Sequence, residues 1–357
     1  PLFADKQVYG GYGKSAKCGI IVMSTGATIN VSGGEWIANN DGTFANDNKA
    51  VLVSQNNRYE SGWACKSILN VTGGTFKGGY NCYGMGPGVE PDDAQINIKG
   101  GNFNANPASY VAKGYGATEN NGIWAVAKAY EITEVGATIY SAAGMFWFAN
   151  EVNANGNAFA GKTVKLSANI DLNNEAWTPV GQTGATTFNG VFDGQEYTIS
   201  NLNVNSEAQT GKHYSSGLFG WVESHTAGRG HIKNVKINGA TIVGHHNCGA
   251  LVGYITQQTA LVENCHVTGA TVTCTMANGD ANGDKAGALI GNATNATPVN
   301  DCTAANSTVS AGRDAGQVIG AGKAANVTGC SATDVAVSAN GTSTGANVRN
   351  EVIGRLL

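Results

Sequence analysis

Short phrases recur along this chain every 27 to 40 residues, and this recurrence restricts the fold more than any other feature. In the first third, the phrase reads INVSGGEW at 29–36, LNVTGGTF at 69–76 and INIKGGNF at 96–103. Its first half alternates apolar and polar residues, which is the pattern of a β-strand with one buried face. The Gly-Gly pair permits a positive φ and therefore a corner. This third is predicted to be a stack of short strands separated by corners.

A second set of phrases fills the last third of the chain. Its glycine phrase reads GLFG at 217–220, GALVG at 249–253, GALIG at 287–291, GQVIG at 316–320 and, in degenerate form, NEVIG at 350–354. Another phrase follows four of these copies, as IKNV at 232–235, VENC at 262–265, VNDC at 299–302 and VTGC at 327–330. One repeat cannot bury its own apolar face, whereas stacked repeats share a continuous core.

The predicted fold is therefore all-β: a parallel β-helix or β-solenoid in which each strand pairs with its equivalent about 4.8 Å away. We expect Val, Ile, Leu, Ala and Cys to point inward, and Thr, Ser, Asn and Lys to point outward. The last position of the second phrase holds Val235, Cys265, Cys302 and Cys330. The three cysteines are thus predicted to be buried, reduced and stacked on Val235.

Composition excludes several other classes of protein. Glycine accounts for 51 of 357 residues without the strict triplet period of collagen. Charged residues are 13%, about half the usual share of roughly 25%, which argues against a coiled coil or a charged disordered chain. With a net charge of −4, a nucleic-acid-binding surface lacks electrostatic support. No apolar run approaches the roughly 18 residues of a membrane span.

Between the two sets of repeats, the sequence predicts one short helix. Met145, Phe148, Ala149 and Val152 fall at i, i+3, i+4 and i+7, and Ser141 is a candidate N-cap. We expect the helix to cover the open end of the second array, whose strand edges would otherwise lack partners. The predicted domains are 1–134, a β-helix with Gly-Gly-aromatic repeats and long loops, and 135–357, a helix-capped solenoid. The chain begins without Met and without a signal-peptide pattern, so we expect a processed or truncated product.

The C-terminal phrases resemble the GLUG repeat family. The matching segments are GLFG, IKNV, GALVG and VENC, and the resemblance extends over about 217–354. A looser similarity covers 177–202, where WTPVG, FNGVFDG and YTISNL resemble the segment that often precedes such repeats in bacterial surface proteins. The resemblance implies a β-solenoid from an adhesin, from the non-catalytic part of a surface peptidase, or from a gut-bacterial or phage surface protein. No catalytic residue belongs to the family's repeat.

Two groups of side chains have the chemistry of metal ligands. His245, His246 and Cys248 share one loop, and Cys265 and His266 follow one phrase later. Cys265 occupies an inward position and His266 an outward one, so structural roles are favoured. The run NGDANGD at 278–284 carries alternating oxygens as a calcium loop does, but a leucine stands where that loop needs its glutamate. A solvated turn is favoured there, and no cofactor or metal is predicted.

Carboxylate catalysis has one candidate cluster. A polysaccharide hydrolase needs two facing acids, and a lyase needs a base with a basic neighbour. Glu90, Asp92 and Asp93 lie together in the loop 81–95 near Tyr83, although solvated loop acids are far commoner. Asp193 precedes a glycine and is predicted to be a turn residue.

Aromatic residues in the N-terminal loops predict the binding site, because exposed aromatics mark recognition surfaces. Trp36 holds the repeated aromatic position and is assigned to the core instead. The predicted ligand-binding residues are Arg58, Tyr59, Trp63, Tyr80, Tyr83, Asp92 and Asp93. Asn30, Asn70 and Asn97 are predicted to form an outward ladder of paired amides.

These features favour a non-enzymatic adhesion or fibre module of a bacterial or phage surface protein, secreted or displayed on the cell surface. Its predicted partners are a glycan or a host or bacterial surface protein, with no nucleic acid. Two alternatives remain: a polysaccharide-degrading β-helix enzyme of the tail-spike kind, and a structural spacer or self-assembling filament subunit. End-to-end or homo-oligomeric assembly would suit the last of these, since it would satisfy open strand edges.

Overall fold

The computed structural model describes residues 18–23, 28–37, 50–57, 67–85, 94–209, 214–223, 229–256, 260–276, 284–293, 297–339 and 347–357. The chain divides into two compact units, Pro1–Ala129 and Tyr130–Leu357. Tyr130–Thr133 lies before the predicted boundary at 134, yet it pairs with Gly136–Ile139 of the second unit. The described residues are mostly β-strand with one α-helix, and none of their helices has the length and apolarity needed to cross a bilayer.

Parallel strands dominate the first unit. Its described strands are β1 (Cys18–Met23), β2 (Thr28–Val31), β3 (Glu35–Ile37), β4 (Ala50–Asn57), β5 (Ser67–Val71), β6 (Thr75–Lys77), β7 (Gly79–Met85), β8 (Ala94–Ile98), β9 (Gly101–Phe103), β10 (Tyr115–Asn120) and β11 (Ile123–Lys128). They form three sheets ordered β1-β4-β7, β2-β5-β8 and β10-β11-β9-β6-β3. The antiparallel hairpin β10–β11 closes the last sheet by pairing with β9.

The three Gly-Gly phrases stack in register, as the sequence predicts. Asn30 pairs with Asn70 and Asn70 with Asn97, and their side-chain amides donate along the column at 2.9 and 3.2 Å. The second glycine of each pair has a positive φ, from +93° to +117°. Beneath these corners, the Phe76 and Phe103 rings stack at 4.9 Å. Trp36 is half-buried in the same column and packs against this core.

The second unit contains one helix and more than twenty described strands. They are β12 (Tyr130–Thr133), β13 (Gly136–Ile139), α1 (Ala142–Ala154), β14 (Thr163–Leu166), β15 (Ile170–Asp171), β16 (Val191–Asp193), β17 (Thr198–Ser206), β18 (Phe219–Val222), β19 (His231–Lys233), β20 (Lys236–Gly244), β21 (Val252–Ile255), β22 (Leu261–Glu263), β23 (His266–Thr268), β24 (Thr271–Cys274), β25 (Lys285–Gly287), β26 (Ile290–Ala293), β27 (Val299–Asn300), β28 (Thr303–Ala311), β29 (Asp314–Gly316), β30 (Ile319–Gly322), β31 (Val327–Thr328), β32 (Ser331–Ala339), β33 (Asn347–Val348) and β34 (Ile353–Leu356). Short 3-10 turns lie at Ala108–Tyr110 in the first unit and at Ala324–Asn326 in the second.

Each strand of the second unit pairs with its counterpart in the next repeat. The four sheets are ordered β12-β13-β14-β16-β19-β22-β27-β31, β15-β17-β20-β23-β28-β24 with β32 on β28, β18-β21-β26-β30-β34, and β25-β29-β33. All pairings after β12–β13 are parallel within these named strands. The five glycine phrases therefore lie side by side, and apolar side chains form continuous columns in the core.

The cysteine column follows the sequence prediction at Cys265 and Cys302, but Cys330 is only half-buried. Backbone N–H groups directly after Cys265, Cys302 and Cys330 donate to the carbonyls of Val235, Cys265 and Cys302 at 2.8 to 3.1 Å. Cys265 and Cys302 are fully buried beside Val235, and Cys330 is half-buried. All three thiols are free in this structure.

Helix α1 buries the predicted stripe of Met145, Phe148, Ala149 and Val152. The Phe148 ring contacts four phenylalanines of the strands and loops beneath it, Phe159, Phe188, Phe192 and Phe219. Ser141 occupies the N-cap position, but its side chain makes no capping hydrogen bond. Its backbone carbonyl instead accepts from Met145 at 3.1 Å.

Asparagine, aspartate and glycine occupy two corner columns. The first holds Asn234, Asn264, Asp301 and Gly329; the second holds Asn201, Gly239, Gly269, Asn306 and Asp334. Every one of these residues has φ between +48° and +69°. Only Gly, Asn and Asp adopt this left-handed conformation without a substantial penalty.

Gly239 tests this explanation, because a Cβ there would meet no atom closer than Asn201 Oδ1 at 3.5 Å. A side chain at this position therefore has enough space, and only the positive φ should distinguish one substitution from another. We expect Gly239→Val to lower the free energy of unfolding by about 1–2 kcal/mol, and Gly239→Asn to change it by less than about 0.5 kcal/mol. Urea unfolding of both variants measures this, and equal midpoints would show that the corner is not left-handed.

Candidate functional site

Most of the predicted binding residues lie outside the described part of the chain. These are Arg58, Tyr59, Trp63, Asp92 and Asp93, together with the candidate acid Glu90. Tyr80 and Tyr83 lie on β7, which pairs with β4, and only their backbone is described. The aromatic and acidic N-terminal site therefore stays a prediction.

The histidines and cysteines that suggested a metal site have other hydrogen-bond partners. The Cys248 thiol donates to the His246 carbonyl at 2.6 Å, and the rings of His245 and His246 meet edge to face at 4.9 Å. His266 contacts Thr303 Oγ1 at 2.9 Å and Asn264 Oδ1 at 3.0 Å. Among the described residues, no three His, Cys, Asp or Glu side chains are grouped as metal ligands. Of the calcium-like run, 278–283 lies outside the described residues, and Asp284 is buried.

Asp193, predicted to be a turn residue, is the last residue of β16, and its side chain bonds to the turn that follows. Its Oδ1 accepts from the backbone N–H of Gln195 at 3.1 Å and from Asn234 Nδ2 at 2.9 Å. Burial opposes ionisation of this carboxyl, but these hydrogen bonds and the nearby Lys233 outweigh it and lower the pKa of Asp193. A carboxylate that is ionised and accepts two hydrogen bonds stabilises a corner and is poorly suited to general acid catalysis.

The glycine phrases create the most unusual environment in the second unit. A Cβ added to Gly249, Gly287 or Gly316 would lie 2.7, 2.7 or 2.3 Å from the backbone N of the last glycine in the next repeat. Two strand stacks, β25-β29-β33 and β18-β21-β26-β30-β34, therefore approach backbone to backbone at these positions. The residue two places before the first glycine of one phrase, such as Asn247, then faces the residue just after the last glycine of the next phrase, such as Asn292.

We call the polar residues of these two facing columns the polar seam: Ser215, Asn247, Lys285 and Asp314 on one side, and Asn292 and Arg355 on the other. Five of the six are at most 3% exposed, and Arg355 is partly exposed. Asn292 Nδ2 donates to Asn247 Oδ1 at 3.3 Å, and Asn247 Nδ2 donates to Ser215 Oγ at 3.3 Å. Asp314 Oδ2 accepts from Arg355 at 3.3 Å and from the neighbouring Arg313 at 3.1 Å.

Burial shifts two titratable groups at the seam away from their ordinary behaviour. It lowers the pKa of Lys285 to about 8, although the adjacent Asp314 carboxylate acts in the opposite direction. It raises the pKa of Asp284 to about 6, against hydrogen bonds from the backbone of Gly312 and Arg313. Asp284 Oδ1 accepts from Gly312 at 2.7 Å, while its Oδ2 is buried without a hydrogen-bond partner. Both groups thus carry charge near neutral pH at a cost in stability.

Trp221 and Tyr254 continue the second column of the seam on adjacent strands. Their rings meet edge to face at 4.4 Å, and both residues are half-buried. The exposed parts of the two rings form an aromatic surface beside the buried polar residues. Hydrogen bonds of the seam link Ser215, Asn247 and Asn292 in three successive repeats and Asp314 with Arg355 in the next two, and its aromatic end offers a contact surface.

Sequence reasoning missed the seam, although a signal was present. In every copy of the glycine phrase, a polar or aromatic residue occupies one or both flanking positions, as in Asn247 and Tyr254. The one-dimensional pattern shows that these positions repeat. It does not show that they face each other across a backbone contact.

Comparisons with known proteins add little to this geometry. No protein-family model matches the chain, and no curated protein matches it. One similar solved structure is described as a "putative immunoglobulin A1 protease from Bacteroides ovatus"; it is 14% identical, with 64% of this chain and 85% of that chain covered and a TM-score of 0.36. A TM-score this low supports no conclusion about fold or activity.

The pH dependence of stability tests the environment of Asp284. Its folded-state pKa lies above the ordinary value of 3.8, so ionising it costs stability as pH rises from about 4 through about 6. Asp284→Asn keeps an acceptor for Gly312 and removes the charge. We expect the variant to gain about 2–3 kcal/mol relative to the parent between pH 4 and pH 7.

Urea unfolding at the two pH values measures this difference. Asp334→Asn, which changes an exposed carboxylate at a corner, is the control and should follow the parent at both pH values. If the free energy of unfolding depends on pH in the same way in the parent and in Asp284→Asn, the conclusion that Asp284 is buried and ionised would be contradicted.

Proposed function

We propose that the repeats of each unit form turns of a parallel β-solenoid, and that the chain is a non-enzymatic adhesion or fibre module of a bacterial or phage surface protein. The observation that carries the proposal is the register: each described repeat phrase pairs residue for residue with the next. A stack of this kind is stiff along its axis and repeats its outward side chains at the strand spacing of about 4.8 Å.

The outward surface supports binding to a polar ligand. Amides line one column of the first unit, from Asn30 to Asn97. Hydroxyls line two columns of the second unit, where Thr271 lies beside Thr308 and Thr273 beside Ser310. Evenly spaced donors and acceptors suit a glycan or another regular polar surface. Such a face is flat, however, and strong binding also needs aromatic or charged anchors.

The anchors in this proposal are the predicted N-terminal residues, Trp63 and Tyr83 above all. Those loops combine aromatic side chains with Arg58, Asp92 and Asp93, which is the chemistry of sugar recognition by stacking and hydrogen bonding. The seam of the second unit favours a structural role instead, because Lys285 and Asp314 are buried and Asp314 is paired with Arg313 and Arg355. An extracellular location fits this division into a stiff support and contact loops.

A structural spacer or filament subunit is the second candidate, and the register of the strands favours it. Thr303–Ala311 pairs in parallel, residue for residue, with Ser331–Ala339 of the next repeat, which suits a stiff spacer as well as a stalk. Concentration-dependent association measured by light scattering would favour this candidate over a monomeric adhesin.

Binding measurements test the adhesive function directly. We expect a glycan array to identify a ligand and a reducing-end assay on that glycan to detect no product. Trp63→Ala or Tyr83→Ala should weaken binding by about 1–3 kcal/mol, the range for a buried anchor, with little change in stability. Titration of each variant with the array hit gives the affinities.

Tyr254→Ala is the matched control, since it removes a half-buried aromatic of the second unit. It should leave affinity unchanged. Loss of binding in Tyr254→Ala but not in the N-terminal variants would move the site to the seam. New reducing ends would replace the adhesin with an enzyme.

A further inference from the structure

Lys285 and Asp314 lie side by side in the polar seam. They are register partners on the parallel strands β25 and β29, so their Cα atoms lie about 4.8 Å apart and their side chains extend to the same side of the sheet. Lys285 is 3% exposed and Asp314 is completely buried. Among the charged groups around Lys285, Asp314 interacts with it most strongly. A primary amine and a carboxyl group thus share one buried site.

Burial makes the amine of this pair reactive. It lowers the pKa of Lys285 to about 8, so a fraction of the side chain is neutral near neutral pH. A neutral, desolvated lysine is a nucleophile that attacks carbonyl carbon. Moving one proton from Lys285 to Asp314 converts the ion pair into an amine and a carboxylic acid, and a dry environment favours that neutral pair.

Two guanidinium groups hold one oxygen of the carboxyl. Arg313 and Arg355 both donate to Asp314 Oδ2, at 3.1 and 3.3 Å. Attack on Cγ would place negative charge on Oδ2, and two cationic donors at that oxygen stabilise such a charge in a buried site. Oδ1 is then the oxygen that can leave. The site combines a nucleophile, an electrophilic carbon and donors for the developing oxyanion.

We propose that Lys285 and Asp314 condense to form an isopeptide bond that ties two neighbouring repeats together. Lys285 reacts as the neutral amine and Asp314 as the carboxylic acid. The electron pair of Nζ forms a bond to Cγ, and Oδ2 becomes the oxyanion. Nζ then passes a proton to the Oδ1 hydroxyl, the Cγ–Oδ1 bond breaks, and Oδ1 leaves as water. The products are one amide and one water molecule, and the reaction consumes no oxidant and no cofactor.

Burial distinguishes this pair from the ordinary ion pairs of the second unit. The product replaces two buried charges with a neutral amide, which removes the cost of burying those charges. Lys236 and Glu196 lie closer, with Nζ and Oε2 3.0 Å apart, but their side chains are 43% and 48% exposed. Water keeps both of these groups ionised, so they should not condense. The proposal goes beyond the adhesive function and does not depend on what the first unit binds.

Mass spectrometry of the folded, full-length protein tests the proposal. We expect a mass lower than the sequence mass by one water molecule. Trypsin cleaves after unmodified Lys and Arg, so an amide on Lys285 should protect that position from cleavage. The digest should then contain 237–313 as one peptide, joined through its Lys285 side chain to 314–323. Fragmentation of this branched peptide locates the bond.

Two variants provide the controls. Lys285→Met replaces the buried amine with an apolar side chain of similar length and should have its full sequence mass. Lys236→Met should keep both the water loss and the branched peptide. Three results would overturn the proposal: a parent protein of full sequence mass that yields separate peptides 237–285 and 314–323, a water loss that persists in Lys285→Met, or an equal link between Lys236 and Glu196. The peptide map of the parent protein decides even where a variant does not fold.

Discussion

The close backbone approach at the glycine phrases is the contact on which the second unit depends. Because Gly249, Gly287 and Gly316 lack a Cβ, two strand stacks meet at distances that any side chain would prevent. This contact brings the apolar residues of each phrase, such as Leu251, Leu289 and Ile319, into the core and places the seam residues opposite one another. One residue type at repeated positions thus determines both the apolar packing and the buried polar network.

The remaining architecture follows from keeping the repeats in register. Corners need left-handed residues, which Asn, Asp and Gly supply. Small side chains fill the narrow part of the stack. The hydroxyls of Ser206 and Ser216 contact each other in one repeat, and Cys248 packs against Gly244 at the equivalent positions of the next repeat. The buried charges at Asp284 and Lys285 oppose folding. Backbone hydrogen bonds to Asp284 and the charge of Asp314 near Lys285 limit the cost. The stack tolerates this cost because apolar columns run through every repeat.

Sequence reasoning was most successful where a repeated pattern determines the structure. The Gly-Gly corners, the amide column at Asn70, the cysteine column and the buried face of α1 could all be predicted, because each follows from spacing alone. The Ser141 side chain does not cap its helix, since propensity describes a position and not the hydrogen bond made there. The seam could not be predicted, because pairing across two sheets depends on a three-dimensional approach. The N-terminal binding residues remain a prediction.

Replacement of one glycine tests the central claim most directly. A Cβ at Gly249 would lie 2.6 Å from the carbonyls of Leu289 and Val252, whereas at Gly322 in the same unit the nearest atom is a side-chain methyl at 3.3 Å. If the backbone contact sustains the stack, urea unfolding of Gly249→Ala should show a loss of at least about 2 kcal/mol. Gly322→Ala should change the free energy of unfolding by less than about 0.5 kcal/mol. Equal losses in the two variants would contradict the account.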